Sequence, residues 1–213
     1  MAHLVNRLVT EDDLKTILGI SDAVDDNRLT LAADAATTMI LSYCDRDFFV
    51  SSTTPSARVY VADHWSYVEV DDISTANGVV VKTDDDEDGV FETTWASTDY
   101  QLSPLNGRLS GIEWPYTRID AIDAREFPYN GRQALVQVTA VWGWHADDPE
   151  DDYIPHPVQQ AAQIQATSIF KSVDAPLGIA GFGDIGIMRL RQALHPVAIA
   201  LLAPFRKDPT LVR

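Results

Sequence analysis

The sequence has a single cysteine, Cys44, among 213 residues, which excludes an internal disulfide, and no Cys/His spacing suggests a zinc site. Bases are scarce: 16 Lys+Arg stand against 32 Asp+Glu, a formal net charge of −16. Nucleic-acid clamping draws its affinity largely from counterion release by a basic surface, and this balance opposes it. No uninterrupted apolar run approaches the roughly 18 to 20 residues of a membrane span, and the opening MAHLVNRLVTEDD has no apolar stretch of signal-peptide length. The expectation is a soluble chain with no membrane contact, made in a reducing cytoplasm. Catalytic constellations are missing as well. His3, His64, His145, His156 and His195 are scattered without an H-E-x-x-H pair, and no serine lies in a G-x-S-x-G elbow. Cys44 falls on the stripe side of a helix, where a small thiol packs rather than reacts. With no nucleophile, base and orienter to assemble, the expectation is a protein that is not an enzyme and carries no catalytic residue, cofactor or metal.

What is present is an ordinary globular composition, 46% hydrophobic and 23% charged, on a chain long enough to bury roughly 70% of its unfolded surface. Thr10 followed by Glu11, Asp12 and Asp13 predicts a capped helix whose acids meet the positive end of its dipole; Leu14, Ile17 and Leu18 share a face, and Gly19 stops it. A longer helix follows, capped by Asp25 or Asp26, with Leu29, Ala33, Ala36, Ile40 and Tyr43 along one narrow stripe. From Pro55 the texture becomes β-branched and aromatic: ARVYVA, YVEV, GVVVKT, VFETTW, YQLS and ALVQVTAVWGW read as strands, with Asn77-Gly78 and Asp88-Gly89 as tight turns. After the acidic connector ADDPEDDYIPHP, Pro155 or Pro157 opens a helix carrying Val158, Ala162, Ile169 and Val173, and MRLRQAL and PVAIALLAPF predict a last helical stretch bent or divided at Pro196. The expected fold class is therefore α+β. Residues 1–54 and 145–213 form a helical bundle, and 55–144 is an inserted antiparallel sheet or small sandwich.

Three patterns invite a chemical reading. Asp84, Asp86, Asp88 and Gly89 match the start of a calcium loop, but Trp95 occupies the twelfth position where a bidentate Glu belongs, so a solvated hairpin tip is the expectation. Gly181, Gly183 and Gly186 spell G-x-G-x-x-G, yet they follow a predicted helix and enclose Asp184, which would repel phosphate; a hinge is expected instead. Trp95, Trp114, Trp142 and Trp144 suit core packing better than a sugar platform.

Charge is also uneven along the chain. Residues 51–100 hold eleven acids and two bases, a net of −9, whereas 151–213 hold five acids and six bases, a net of +1. The closing stretch Ala200 to Lys207 turns from apolar to cationic within a few residues. It reads either as a core helix with a basic last turn or as a tail seated in a partner's apolar groove with an acidic rim, and the residues alone leave both open.

In order, these pieces resemble the head-tail connector, or adaptor, proteins of long-tailed double-stranded DNA bacteriophages and gene transfer agents. The opening LVTEDDLKTILGISDAVDDNRLTLAADAATTMILSYCDRDF is similar to the family's capped short helix, acidic joint and second helix ending in a Y-x-x-R-x-F-like segment, here Tyr43, Arg46 and Phe48. VQVTAVWGW followed by IPHPVQQAAQIQATSIFK resembles its aromatic-glycine strand, proline-led connector and next helix, and ALLAPFRK its closing L-L-x-P-[YF]-R element. The acidic hairpin at Asp84 to Asp88 and the long β insertion depart from the pattern. The resemblance implies a structural virion protein of the head-tail neck, assembled in the host cytoplasm as a homo-oligomeric ring of twelve subunits under the portal vertex. Its partners would be the portal protein and the next neck or tail-completion protein, and DNA would pass through its lumen without specific binding. It implies a portal interface at Leu201, Leu202, Phe205, Arg206 and Lys207. The competing reading from the residues is a β-rich, calcium-dependent ligand-binding module built on the Asp84 loop.

Overall fold

The computed structural model describes residues 6–106, 108–109, 112–144, 154–173, 179–180, 188–189 and 194–207. The fold is α+β, and the chain divides into two units, one drawn from Met1–Asp45 and Ile154–Asp208, the other from Arg46–Tyr153.

The first unit is helical. Thr10 begins α1 (Glu11–Leu18) with a full capping box: its hydroxyl accepts the Asp13 N–H and the Asp13 carboxylate accepts the Thr10 N–H. Gly19 ends it in the left-handed region at φ 69°, as expected of a C-cap glycine. In α2 (Asp26–Cys44), Asp25 takes the N-cap position without a side-chain capping bond, because its carboxylate is held by Arg28 at 2.8 Å. The buried face of α2 is broader than one narrow stripe: Leu29, Ala32, Ala33, Ala36, Thr37, Ile40 and Cys44 all face inward, and Tyr43 is only half-buried. A helix flanked on more than one side needs that breadth, and α2 packs against both α1 and α3 (His156–Val173). Alanines supply the contact on α3 as well, where Val158, Ala161, Ala162, Ala166 and Phe170 are buried while Ile169 is half-buried. Gln165, 3% exposed, is paired by accepting the His195 N–H at 2.8 Å.

Pro196 begins α4 (Pro196–Leu202) at its first turn, where a missing N–H costs nothing, and a 3-10 turn, Ala203–Phe205, extends it. The His195 Nδ1 caps α4 by accepting the Val197 N–H at 3.2 Å. Met188–Arg189, expected to be helical, instead form β11, paired antiparallel with β10 (Ile179–Ala180). MRLRQAL spans two helical turns at most, too short for propensity to decide the matter. The other residues of the glycine stretch 178–186 lie outside the described residues.

The second unit is built of antiparallel strands. A four-stranded sheet runs in the order β1 (Ser56–Tyr60), β9 (Val136–Ala140), β3 (Val80–Thr83), β4 (Thr93–Thr94). A three-stranded sheet runs β2 (Tyr67–Ile73), β8 (Tyr116–Ala121), β5 (Tyr100–Ser103), and a small ladder joins β6 (Arg108–Leu109) to β7 (Ile112–Glu113). The core of this unit is formed by Val68, Val70, Ile73, Val81, Trp95, Ile119, Phe127, Val136, Val138 and Trp142 among others. VFETTW contributes only its two threonines as strand, with Val90 58% exposed. The central strand β8, YTRIDA, escaped the sequence reading because a single strong apolar residue, Ile119, faces inward while Arg118 faces solvent.

Period-two burial in β9 ends at Ala140, after which Val141, Trp142, Gly143 and Trp144 are all buried. Here the chain is gripped from two sides. Gly143 donates its N–H to the Asp72 carbonyl at 2.8 Å, while Ser51 and Ser74 donate theirs to the Trp142 and Val141 carbonyls. Gly143 has φ 129°, and a Cβ there would lie 2.2 Å from the Phe49 carbonyl oxygen and 2.8 Å from the Val50 Cα. Both obstacles are backbone, so neither swings aside. Gly143→Ala is expected to cost about 3 kcal/mol or more of stability in urea unfolding followed by tryptophan fluorescence, whereas Gly19→Ala, strained at the cap but meeting open space, should cost about 1 kcal/mol.

Candidate functional site

The portal-interface residues expected from the sequence fall on and just after α4. Leu202 is fully buried and Phe205 is 1% exposed, so both are seated in their own helical unit. Leu201 is half-buried, Arg206 exposed and Lys207 half-buried. The segment is fastened at its end too: the Lys207 N–H donates to the Cys44 carbonyl at 2.9 Å, and the Arg206 guanidinium lies 5.5 Å from the Tyr43 ring centroid.

What the sequence reading missed is the other side of the helix. PVAIALLAPF contains no polar side chain, so α4 is apolar all round, yet only Ala198, Leu202 and Phe205 are buried. Val197 is 50% and Ile199 37% exposed. The signal was in the composition, since a helix that is apolar all round has more than one neighbour to cover it.

Within each unit, segments that carry the family resemblance pack on one another. Tyr43 and Cys44 receive Arg206 and Lys207 in the helical unit, as above. In the β unit, Arg46 forms a buried ion pair with Asp72, Nη1 to Oδ1 at 2.6 Å, with side chains 10% and 5% exposed. Aromatic faces cover the guanidinium: the Trp144 and Trp114 centroids lie 5.5 and 5.9 Å from it. Phe48 packs against Trp144 at 5.2 Å and Trp114 against Trp144 at 5.0 Å. Three of the four tryptophans weighed as a sugar platform, Trp95, Trp142 and Trp144, are buried. A second, more open cluster lies on β1 and β2, where Asp71 bonds Arg58 at 2.5 Å and accepts the Tyr60 hydroxyl at 3.0 Å. Burial, and then the charge of Asp71, pushes that hydroxyl far above its usual range, so Tyr60 stays protonated.

The acidic hairpin between β3 and β4 brings one oxygen each from Asp84, Asp86, Asp88 and Glu92 within 4.8 Å of one another. Asp84 is 1% exposed, and its carboxylate accepts the Gly89 N–H at 2.8 Å and the Asp88 N–H at 3.3 Å, an arrangement that closes the turn with the chain's own amides. Trp95, at the position a calcium loop gives to its anchoring Glu, is stacked on Phe127 at 4.4 Å and donates its indole N–H to Thr83. The Asp86 carboxyl is held above its ordinary value, mainly by the charge of Asp88, then by desolvation and by Glu92 and Asp84. Of the described histidines, His64 bonds Ser66, His156 lies against Gln159 and His195 caps α4; His3 and His145 lie outside the described residues.

No family model matches the chain, and no curated protein matches it. A solved structure does share its fold. A chain in the neck of an empty gene transfer agent (GTA) particle, computed with C6 symmetry, superposes with a TM-score of 0.54 at 14% identity over 97% of this chain and 95% of that one. A chain in the neck of a native GTA particle, computed with C12 symmetry, has a TM-score of 0.49 at 16% identity, covering 96% of each chain.

Two outcomes are expected of this geometry. Arg46→Met leaves the Asp72 carboxylate buried beside an apolar side chain and should cost about 3 kcal/mol or more in denaturant unfolding. Combining it with Asp72→Leu should cost clearly less than the sum of the two single changes. A carboxyl raised in the folded state contributes stability that is full below its unfolded value and is lost as pH rises through its folded value. Asp86→Asn should therefore raise the Tm at pH 7 relative to the parent protein, and the gap should close as pH falls toward the ordinary 3.8.

Proposed function

We propose that this protein is a head-tail adaptor of a phage-like particle: a structural ring under the portal vertex that joins the head to the neck and tail and turns over no substrate. The observation that carries the reading is α4, an apolar helix that its own unit covers on one side only. The neck fold supports it, since the GTA chain that superposes over nearly the whole length belongs to a neck with cyclic symmetry. In this reading Val197 and Leu201, one turn apart on the same face of α4, meet an apolar groove of the portal, and Arg206 and Lys207 orient the contact against an acidic rim. Leu202 and Phe205 hold the helix to the body, so it is already ordered before it docks and loses little conformational entropy on doing so.

The ring is twelve-fold, as the family resemblance implies, and its subunits contact one another head to tail, because a closed ring of identical chains uses two different patches on each copy. The net charge of −16 also fits passage of DNA. Carboxylates lining the lumen would keep phosphates from adhering, so the duplex slides. The competing calcium-dependent module predicts a heat of calcium binding that vanishes in Asp86→Asn; the adaptor reading has no use for one.

The test is co-sedimentation of the purified protein with purified portals. The parent protein should co-sediment at a mass that fits a ring. Val197→Glu, on the exposed side, should keep the Tm within a few degrees and lose at least about tenfold in portal binding. Leu202→Ala serves as the contrast: it empties a core position and should cost about 3 kcal/mol of stability. Normal portal binding by Val197→Glu would remove α4 from the interface.

A further inference from the structure

The β unit presents a second anchor that nothing described so far uses. Between β1 and β2 the chain turns tightly at His64–Tyr67, where the His64 N–H donates to the Tyr67 carbonyl at 3.2 Å and the Tyr67 N–H to that of His64 at 3.3 Å. Trp65 stands in this turn and is 50% exposed, while Trp95, Trp142 and Trp144 are 5%, 1% and 0% exposed. Its backbone is fixed. The Trp65 carbonyl accepts the Phe127 N–H at 2.7 Å and the Ser66 carbonyl accepts the Ala121 N–H at 2.8 Å. The rings beside it are ordered as well: His64 lies 4.9 Å from Trp65 and 5.7 Å from Tyr67, and the Arg118 guanidinium sits 5.4 Å from the Tyr67 centroid.

An indole left half in water on a rigid turn is unfavourable for the free subunit and well suited to binding. Tryptophan, tyrosine and arginine dominate protein-protein hot spots, and an anchor that is already ordered forfeits little entropy when a partner covers it. Charge narrows the choice of partner. Arg118 is matched by Asp120 at 2.9 Å and Arg125 by Asp99 at 3.1 Å. Exposed Asp63, two residues before Trp65, and exposed Glu126, next to the Phe127 that bonds it, make no ion pair among the described residues. The rim of the turn is therefore acidic.

We infer that the His64–Tyr67 turn is a docking point for a protein surface that is basic around an apolar socket, presented by the neck component that the ring meets besides the portal. The inference rests on the adaptor reading, which requires two unlike interfaces on one subunit. The α4 face belongs to the helical unit and the Trp65 turn to the β unit, so each interface can be removed without touching the other.

The experiment uses heads lacking this protein, the purified full chain and purified tails. Trp65→Ala and Glu126→Lys should each fold with the parent Tm to within about 2 °C and co-sediment with portals as the parent does, since both side chains are exposed. Tail joining to the reconstituted heads should fall about tenfold or more in Trp65→Ala, and joining by the parent should weaken as salt rises while Glu126→Lys loses most of that salt dependence. Normal tail joining by Trp65→Ala would overturn the inference and leave the adaptor reading standing. So would a glycan-array signal that Trp65→Ala abolishes while tails still join, which would make the turn a sugar platform. Failure of the parent protein to co-sediment with portals would bring down the adaptor reading, and this inference with it.

Discussion

A buried ion pair constrains the β unit. Arg46 and Asp72 are both nearly sealed from solvent, and charges in that position are tolerated only while they hold each other. Asp72 also fixes the path of the chain through its backbone, since its carbonyl takes the Gly143 N–H, and Gly143 in turn leaves room for the Phe49 carbonyl. Thus the residues just after the second helix, the end of β2 and the end of β9 are tied at one place, although they lie some 26 to 97 positions apart in sequence. Indole faces of Trp114 and Trp144 close over the buried guanidinium and add a favourable term of about 2 kcal/mol each where the cation is desolvated. The penalty for breaking the pair, about 3 to 5 kcal/mol, is larger than either, so the ion pair sets the geometry and the aromatics shield it.

The same stretch of sequence also serves the helical unit. Tyr43 and Cys44 receive the side chain of Arg206 and the N–H of Lys207, so the last residues of α2 hold the segment that follows α4. Six consecutive positions, Tyr43 to Phe48, therefore carry contacts in both units, and this gives a physical reason for a Y-x-x-R-x-F-like segment. The tyrosine face meets one cation, the arginine supplies another, and the phenylalanine packs on the tryptophan that covers it.

Much of this could be read from the residues, and the failures have identifiable causes. The Thr10 capping box, the Gly19 stop and the alanine-rich second helix follow from local chemistry, which sequence displays directly. The Asp84 hairpin was legible for the same reason: a missing twelfth ligand and a tight Asp-Gly turn are both local facts. β8 was not, because a central strand with one inward apolar residue gives almost no period-two signal and is specified by its two neighbours, Val68 on one side and Leu102 on the other. For the C-terminal segment the residues left two readings open, and the structure shows which of its side chains are buried. Leu202 and Phe205 point into the core, whereas Val197 and Ile199 face away from it, a distinction that only the helical phase of α4 relative to α3 can make. Trp65 was invisible for a similar reason: its exposure depends on a turn pinned by Ala121 and Phe127, more than fifty positions later.

In the adaptor reading proposed above, exposed apolar anchors and a large like charge are complementary features of a subunit that assembles only on demand. Two copies of a −16 chain repel each other at low salt, and that repulsion opposes premature clustering through α4 or through the Trp65 turn. The opposition is long-ranged and screened within about 8 to 10 Å at physiological salt, whereas apolar burial acts only at contact. A template that fixes subunits side by side changes the balance, because each further contact becomes effectively intramolecular at a high local concentration. Assembly under such control needs no chemical switch in the subunit, only weak patches on a strongly charged body and a partner that collects them in the right geometry.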